Sequence, residues 1–545
     1  MDALVLIGSF VLLMLIGLPV AYCLGLAALI GALWIDLPLD AVMIQIGAGV
    51  NKFSLLAIPF FVLAGAIMAE GGMARRLVAF AGVLVGFVRG GLSLVNIMAS
   101  TFFGAISGSS VADTASIGSV LIPEMEKKGY PRPFATAVTV SGSVQAILIP
   151  PSHNAVLYSL AAGGSVSIAA LFMAGVLPGL LMGLTLAILC LWKAHKHGYP
   201  KEQAIPLRQA LKICAEALWG LMTMVIILGG ILSGVFTANE SASIAVVWAF
   251  FVTMFIYRDY KWRDLPKLVH RTVKTVTIVM ILIGFAAAFG YIMTLMQIPM
   301  KVTAFLTEFS NNKYVILALI NVLLLILGTL MDMSPLILIL TPILLPVVKL
   351  MGVDPVHFGM IMMVNLGIGL ITPPVGSVLF VGSAISKLKI GVITRAMIPF
   401  FGALLIVLLM VTYIPWLSLW LPRAMGLKAH DRLALGLCLP CRQRRSVAAV
   451  DGAGRRAAAA AASEPGRPAH ADGTKPLRRS PVRGPSQRSH GRHQPRTRSP
   501  SPAPDRAWRG RLACEHGLPL SRSHRPLSVG RLLPGPSAER QPDRQ

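Results

Sequence analysis

The chain has 545 residues, is 55% hydrophobic and 13% charged, and has a mean hydropathy of +0.72; this excludes an ordinary soluble enzyme or binding domain and indicates an integral membrane protein. Its formal charge of +26 is unevenly spread, because residues 428–545 carry 24 of the 49 Lys and Arg against 8 of the 23 acids. The basic character therefore says little about partners of the apolar body.

Apolar runs of about 20 residues mark helices that cross a bilayer. They fall near 2–18, 20–36, 53–71, 134–162, 168–192, 214–236, 239–257, 275–297, 357–385 and 397–421. Two further stretches, 91–126 and 314–350, are apolar but too interrupted for simple crossings. The first Lys or Arg is Lys52, so no basic n-region precedes the first run, which reads as a retained segment and not a cleavable signal. Loops 193–213 and 258–274 carry five and six Lys or Arg. Two crossings separate them, so they share a face, and their charge makes that face cytoplasmic.

Beyond Leu427 the character changes abruptly. Residues 428–545 contain no Ile, Phe, Tyr, Met or Asn, and 22 of the 24 basic residues there are Arg. Such a composition cannot bury a core and reads as a disordered Arg/Pro-rich tail. A native basic tail touching anionic lipid or nucleic acid competes with a frameshift product, and the abruptness favours the frameshift. Cys438 and Cys441 form a lone CLPC in it, without the second pair that a zinc or redox reading needs.

The body, residues 1–427, repeats itself. "GAISGSS" at 104–110 is answered by "GTLMDMS" at 328–334, and "LIPPS" at 148–152 by "ITPPV" at 371–375. Gly129 precedes Pro150 by 21 residues, and Gly352 precedes Pro373 by the same 21. "GAIM" at 65–68 pairs with "GYIM" at 290–293, and "GLPVA" at 17–21 with "TANESA" at 237–242. The first repeat covers about 1–192 and the second about 214–427. Stretch 91–126 begins and ends inside by the charge rule, whereas 314–350 begins and ends outside, so the halves are inverted. The expected fold is an all-α polytopic membrane protein of two inverted repeats, each with a re-entrant helical hairpin and a broken transmembrane helix; that pattern points to a secondary transporter. Two ordinary helical halves of a channel or scaffold are the plainer alternative.

Irregular backbone at membrane depth persists only where protein or a water-filled cavity satisfies it. Pro150, Pro151, Pro373 and Pro374 bring no N–H, which frees carbonyls around 146–149 and 369–372. Carbonyls and hydroxyls together make a hard oxygen environment suited to Na⁺. The expectation is that tip 107–110 meets break 149–154 at one cation site, and tip 331–335 meets break 372–377 at another. Substrate would lie between the tips, near Ser110, His153, Asn154 and Ser334, where helix N-termini offer partial positive charge to a carboxylate. His153 and Asn154 have a plainer reading as hydrogen-bonded members of the break, and each serine as a packing residue. Asp332, an intramembrane acid, is assigned to cation or substrate coupling. Asp113 either couples or merely caps its hairpin, and Glu240 is equally a cap or a site. No P-loop, H-E-x-x-H or nucleophile–base pattern occurs, so no catalytic role, cofactor or transition metal is expected.

At these motifs the chain resembles the large membrane subunit of TRAP (tripartite ATP-independent periplasmic) transporters. The resemblance covers about 1–427. It rests on the run 51–130 ending "FFGAISGSSVADTASIGSVLIPEMEKKGY", on "IPPSHNAVLYSLAAGG", on "GVDPVHFGMIMMVNLGIGLITPPVGSVLFVGSAI" and on "YIPWLSLWLP". It implies an elevator-type, sodium-driven importer of an organic acid in the bacterial inner membrane, working with a small membrane subunit and a periplasmic substrate-binding protein. The implied cation neighbourhood is Ser107, Ser109, Ser110, Pro150 and Ser152 in one repeat, and Asp332, Ser334, Thr372, Pro373 and Gly376 in the other. The family commonly has Thr-Pro-Thr-Glu where this chain has Thr237-Ala238-Asn239-Glu240, which puts the geometry of that turn in question. The rival readings are a stand-alone sodium–carboxylate symporter or cation antiporter, a membrane-tethered nucleic-acid-binding protein acting through the tail, and an intramembrane enzyme.

Overall fold

The computed structural model describes residues 2–202, 205–310 and 312–427; the tail at 428–545, with its CLPC and its frameshift reading, lies outside them. The described residues are helical apart from turns and one isolated bridge, Arg89 to Lys201. The first repeat contains α1 (Asp2–Leu15), α2 (Val20–Trp34), α3 (Leu39–Val50), α4 (Ala57–Glu70) and α5 (Met73–Val85). It continues with α6 (Gly91–Ser107), α7 (Ser110–Lys127), α8 (Arg132–Gly142), α9 (His153–Ala161) and α10 (Ile168–His197). The second contains α11 (Leu207–Leu232), α12 (Ala238–Phe251), α13 (Leu265–Leu295), α14 (Ile298–Phe309) and α15 (Lys313–Leu330). It closes with α16 (Met333–Leu350), α17 (Pro355–Gly369), α18 (Ser377–Ser386), α19 (Ile390–Tyr413) and α20 (Trp416–Ala424). Eight helices among the described residues are long and apolar enough to cross a membrane.

Several expected boundaries shift. The first two runs fold as helices of only 14 and 15 residues, turned at Gly17 with φ +94°, and the run expected at 275–297 begins earlier, at Leu265. Three short helices, α3, α5 and α14, were not expected as elements of their own. Each is 12 or 13 residues, below the length that the apolar-run criterion detects. Stretches 91–126 and 314–350 each fold as two helices joined at a tip, and 134–162 and 357–385 are each interrupted at the prolines.

The departure at Thr237 leaves its turn closed. The Glu240 N–H donates to Thr237 Oγ1 at 3.4 Å while the Thr237 N–H donates to the Glu240 carboxylate at 2.7 Å, a reciprocal capping box that satisfies two orphan donors. Glu240 is thus a cap. Asn239 Nδ2 donates to the Phe53 carbonyl at 2.7 Å and ties this turn to the other repeat.

The repeats exchange partners. Helix α2 of the first packs on α13 of the second, and α12 of the second packs on α4 of the first. Likewise α7 packs on α18, and α16 on α9. Corresponding helices thus make corresponding contacts, the arrangement that two structurally equivalent halves produce. The two broken helices lie at the centre: every residue of α17 after Pro355 is buried, and fully buried Tyr158 of α9 donates to the Pro355 carbonyl at 2.6 Å. Around them α11, α13, α15 and α19 expose Leu218, Val225, Ile278, Ile326 and Ile406, the apolar exterior a lipid-facing helix requires.

Candidate functional site

The first break starts where α8 tightens into a 3₁₀ turn over Ser143–Ile147 and ends at Ser152, the residue before α9. Pro150 and Pro151 cannot donate, so the helix cannot run through. The Pro150–Pro151 peptide is cis, as is Pro373–Pro374 in the second break. Hairpin one turns at Gly108, whose φ of +59° suits glycine, and Ser109 caps α7 by accepting the Ala112 N–H at 3.4 Å. A Cβ on Gly108 would lie 2.2 Å from the Pro151 carbonyl oxygen, so tip and break touch through backbone. Beside this contact the Ser110 and Ser143 hydroxyls lie 2.7 Å apart. Ser110 and Ser152 are buried, and Ser107 and Ser109 half-buried.

Not every carbonyl expected to be free faces the tip. The Leu148 carbonyl points at α10, where a Cβ on Gly175 would lie 2.1 Å from its oxygen. The Pro151 carbonyl, outside the expected 146–149 set, is the one against the hairpin.

The second break runs from Leu370 to Gly376. Its Val375 N–H donates to the Thr329 carbonyl at 3.1 Å, which fixes it to hairpin two. Asp332 precedes α16 in extended conformation without capping it, and instead accepts from the Ser377 hydroxyl at 3.2 Å. The Leu370 and Thr372 carbonyl oxygens converge on Gly376, 3.1 and 3.0 Å from where its Cβ would stand. Thr372 spends its hydroxyl on the Ile368 carbonyl at 2.7 Å. Pro374 and Val375 are exposed, so this break is the more open of the two.

The two halves meet between the tips. Ser334 Oγ donates to Asn154 Oδ1 at 3.4 Å, and His153 opens α9 directly after the Pro151–Ser152 backbone that the Gly108 tip touches. The structure thus gathers Ser107, Ser109, Ser110, Pro150 and Ser152 around one tip. It gathers Asp332, Thr372, Pro373 and Gly376 around the other, with His153, Asn154 and Ser334 between. Asp113 belongs to neither group and does not cap, since Ser109 does. Sequence reasoning missed Ser143, Ser377 and the Thr329 carbonyl. Ser377 had a local signal, as the first hydroxyl after the break; Ser143 and Thr329 had none, because their roles arise from packing.

A profile of the family described as "Tripartite ATP-independent periplasmic transporter, DctM component" matches residues 7–417. The chain is 46% identical over 422 residues to the uncharacterized protein YgiK of Salmonella typhimurium, covering 77% of this chain and 96% of that protein. It is 38% identical over 440 residues to the C4-dicarboxylate TRAP transporter large permease protein DctM of Rhodobacter capsulatus, covering 78% and 100% respectively. It is also 38% identical over 378 residues to the sialic acid TRAP transporter large permease protein SiaM of Vibrio cholerae, covering 69% and 88%. Among solved structures, the YdaH transporter of Alcanivorax borkumensis shares the fold with a TM-score of 0.51 at 17% identity, over 72% of this chain and 90% of that one. With matching that spans both hairpins and both breaks, the chain belongs to the DctM family and is an integral inner-membrane large permease component of a TRAP transporter, not an enzyme.

Proposed function

We propose that this permease takes an organic acid from a periplasmic binding protein and moves it inward, driven by sodium, in a complex with a small membrane subunit. The observation that carries this reading is the pairing of each hairpin tip with its own proline break, joined to the other half by the Ser334–Asn154 contact. Each pairing collects uncharged oxygens, and the second adds the Asp332 carboxylate, a donor set that suits a monovalent hard cation. The N-termini of α7, α9 and α16 approach the space between, where their unpaired N–H groups favour a carboxylate.

In this reading α6–α9 and α15–α18 move together as an elevator against α1–α4 and α11–α13. Large permease relatives named for C4-dicarboxylate and for sialic acid are equally similar to this chain, each 38% identical. Substrate choice accordingly rests largely with the binding protein, and an organic acid is the class proposed here.

The test is uptake of labelled organic acids into proteoliposomes holding the permease with its small subunit. Uptake that needs both an inward sodium gradient and the binding protein supports the reading. Sodium-driven uptake without the binding protein identifies a stand-alone symporter, and uptake indifferent to sodium removes the coupling ion from the proposal.

A further inference from the structure

Asp113 lies within the first turn of α7, fully buried, and among the described residues neither of its carboxylate oxygens has a well-formed hydrogen bond, the Ser100 hydroxyl being the polar group beside them. The register of three helices is fixed around it. Helices α6 and α8 run side by side in the same sense: Asn96 Nδ2 donates to Thr139 Oγ1 at 2.7 Å, and a Cβ on Gly142 would lie 3.6 Å from Ser100 Oγ. One turn further, a Cβ on Gly104 would lie 2.5 Å from Ala146 Cα. Helix α7 returns against both, with Ser110 beside Ser143 and a Cβ on Gly118 placed 3.2 Å from Thr139 Cγ2. Asp113 falls between those two contacts, level with Ser100 and with Ser141–Gly142, and Ser100 is the polar side chain beside its carboxylate. Ser100 and Thr114 are also fully buried, with hydroxyls unpartnered among the described residues.

Among the described residues, no charge opposes the carboxylate from the elements packed on α7. Helices α6 and α18 and the 143–147 turn carry no charged residue, and α8 carries only Arg132 at its far end. The Glu124, Glu126 and Lys127 side chains of α7 itself lie about 16 Å or more along the helix. Arg75 and Arg76 of α5 pair with Asp259. In the second repeat the counterparts of Ser100, Asp113 and Ser141 are Leu324, Ile337 and Val364, all buried and apolar, so the carboxylate itself has no counterpart there.

A bare ionised carboxylate is strongly disfavoured in such a place, and it persists only with a positive charge against it. We propose that Asp113, with the hydroxyls of Ser100 and Thr114, binds one monovalent cation, a proton or a sodium ion, at a site separate from the two breaks. One carboxylate among neutral oxygens balances a single positive charge. The two repeats then differ in charge design: the first holds its compensated carboxylate inside the hairpin, and the second presents Asp332 at the tip.

The experiment uses the resting full chain, so it stands apart from the transport reading: infrared difference spectra of wild type against Asp113→Asn, with radioactive-sodium binding to both. A deuterium-sensitive protonated-carboxyl band lost in the variant identifies the proton. Loss of one bound sodium per chain, without such a band, identifies sodium. An ionised-carboxylate band assigned to Asp113 with unchanged sodium stoichiometry overturns the proposal. Should Asp113→Asn fail to fold, Ser100→Ala decides. It retains the acid and is expected to shift that band or to raise the sodium half-saturation several-fold, and an effect on neither overturns the site.

Discussion

The Ser334 hydroxyl on hairpin two donates to the Asn154 side chain beside the first proline break, 3.4 Å away, so the tip of one repeat touches the break of the other. The two proposed cation sites therefore share a border, and that border is where the proposed function puts the substrate carboxylate. Asn154 is 4% exposed, so it is already held in position by packing.

Replacing Asn154 by Ala tests this border. The contact is long and contributes at the low end of about 0.5–1.5 kcal/mol to stability, so melting should barely change. Loss of a substrate hydrogen bond should raise the half-saturation for substrate roughly tenfold, about 1.4 kcal/mol. Uptake kinetics check this, and an unchanged half-saturation removes Asn154 from the substrate neighbourhood.

Asp332 and Ser377 separate charge from orientation. Asp332→Asn should raise the sodium half-saturation at least tenfold, since it removes the only charge at tip two. Ser377→Ala deletes a hydrogen bond to a charged group, worth about 1.5–3 kcal/mol before solvent exposure is discounted, and should give a smaller change in the same direction. Sodium titration of uptake at fixed substrate reads both, and equal effects would mean that Ser377 is itself a ligand.

Gly108 is held by sterics on two counts. Ala there meets the Pro151 carbonyl oxygen at 2.2 Å and must adopt a left-handed conformation that costs about 1–2 kcal/mol. Gly129 has φ +88° with nothing near its Cβ position and supplies the control. Gly108→Ala should reduce uptake to background, whereas Gly129→Ala should lose only stability, seen as a lower melting temperature.

Replacing Pro150 and Pro151 together by Ala restores two N–H groups and lets α8 continue toward α9. Sodium-coupled uptake should disappear while membrane insertion and expression persist. Retained sodium dependence would show that the break is not needed for cation binding.

Truncation after Leu427 removes 22 Arg and no predicted helix. Uptake by the truncated chain should equal that of the full chain. A loss of function on truncation would favour the basic tail as the working part.

The sequence by itself determined what short windows and hydropathy encode. Proline chemistry at 150–151 and 373–374 forced two breaks because a missing N–H acts within one helical turn. The equal spacings from Gly129 to Pro150 and from Gly352 to Pro373 made the repeat visible, and the apolar runs gave the principal crossings. Residues now found around each tip were legible as a neighbourhood because they stand either in the polar tips at 107–110 and 331–335 or beside those breaks.

The tertiary structure decided who meets whom. Nothing local says that α7 packs on α18 and α16 on α9, or that Leu148 spends its carbonyl toward Gly175 while Pro151 turns its own to Gly108. Nor does it reveal that a Cβ on Gly369 would stand 2.7 Å from the Gly328 backbone, an approach that only glycine permits and that sets hairpin two on its broken helix. Asp113 shows the same division. Its sequence context allowed a cap or a site, and only the packing of three helices removed the cap, buried the acid and set the Ser100 hydroxyl beside it. Backbone breaks and hydropathy are properties of a segment, whereas partners, freed carbonyls and buried charge are properties of surfaces brought together from distant parts of the chain.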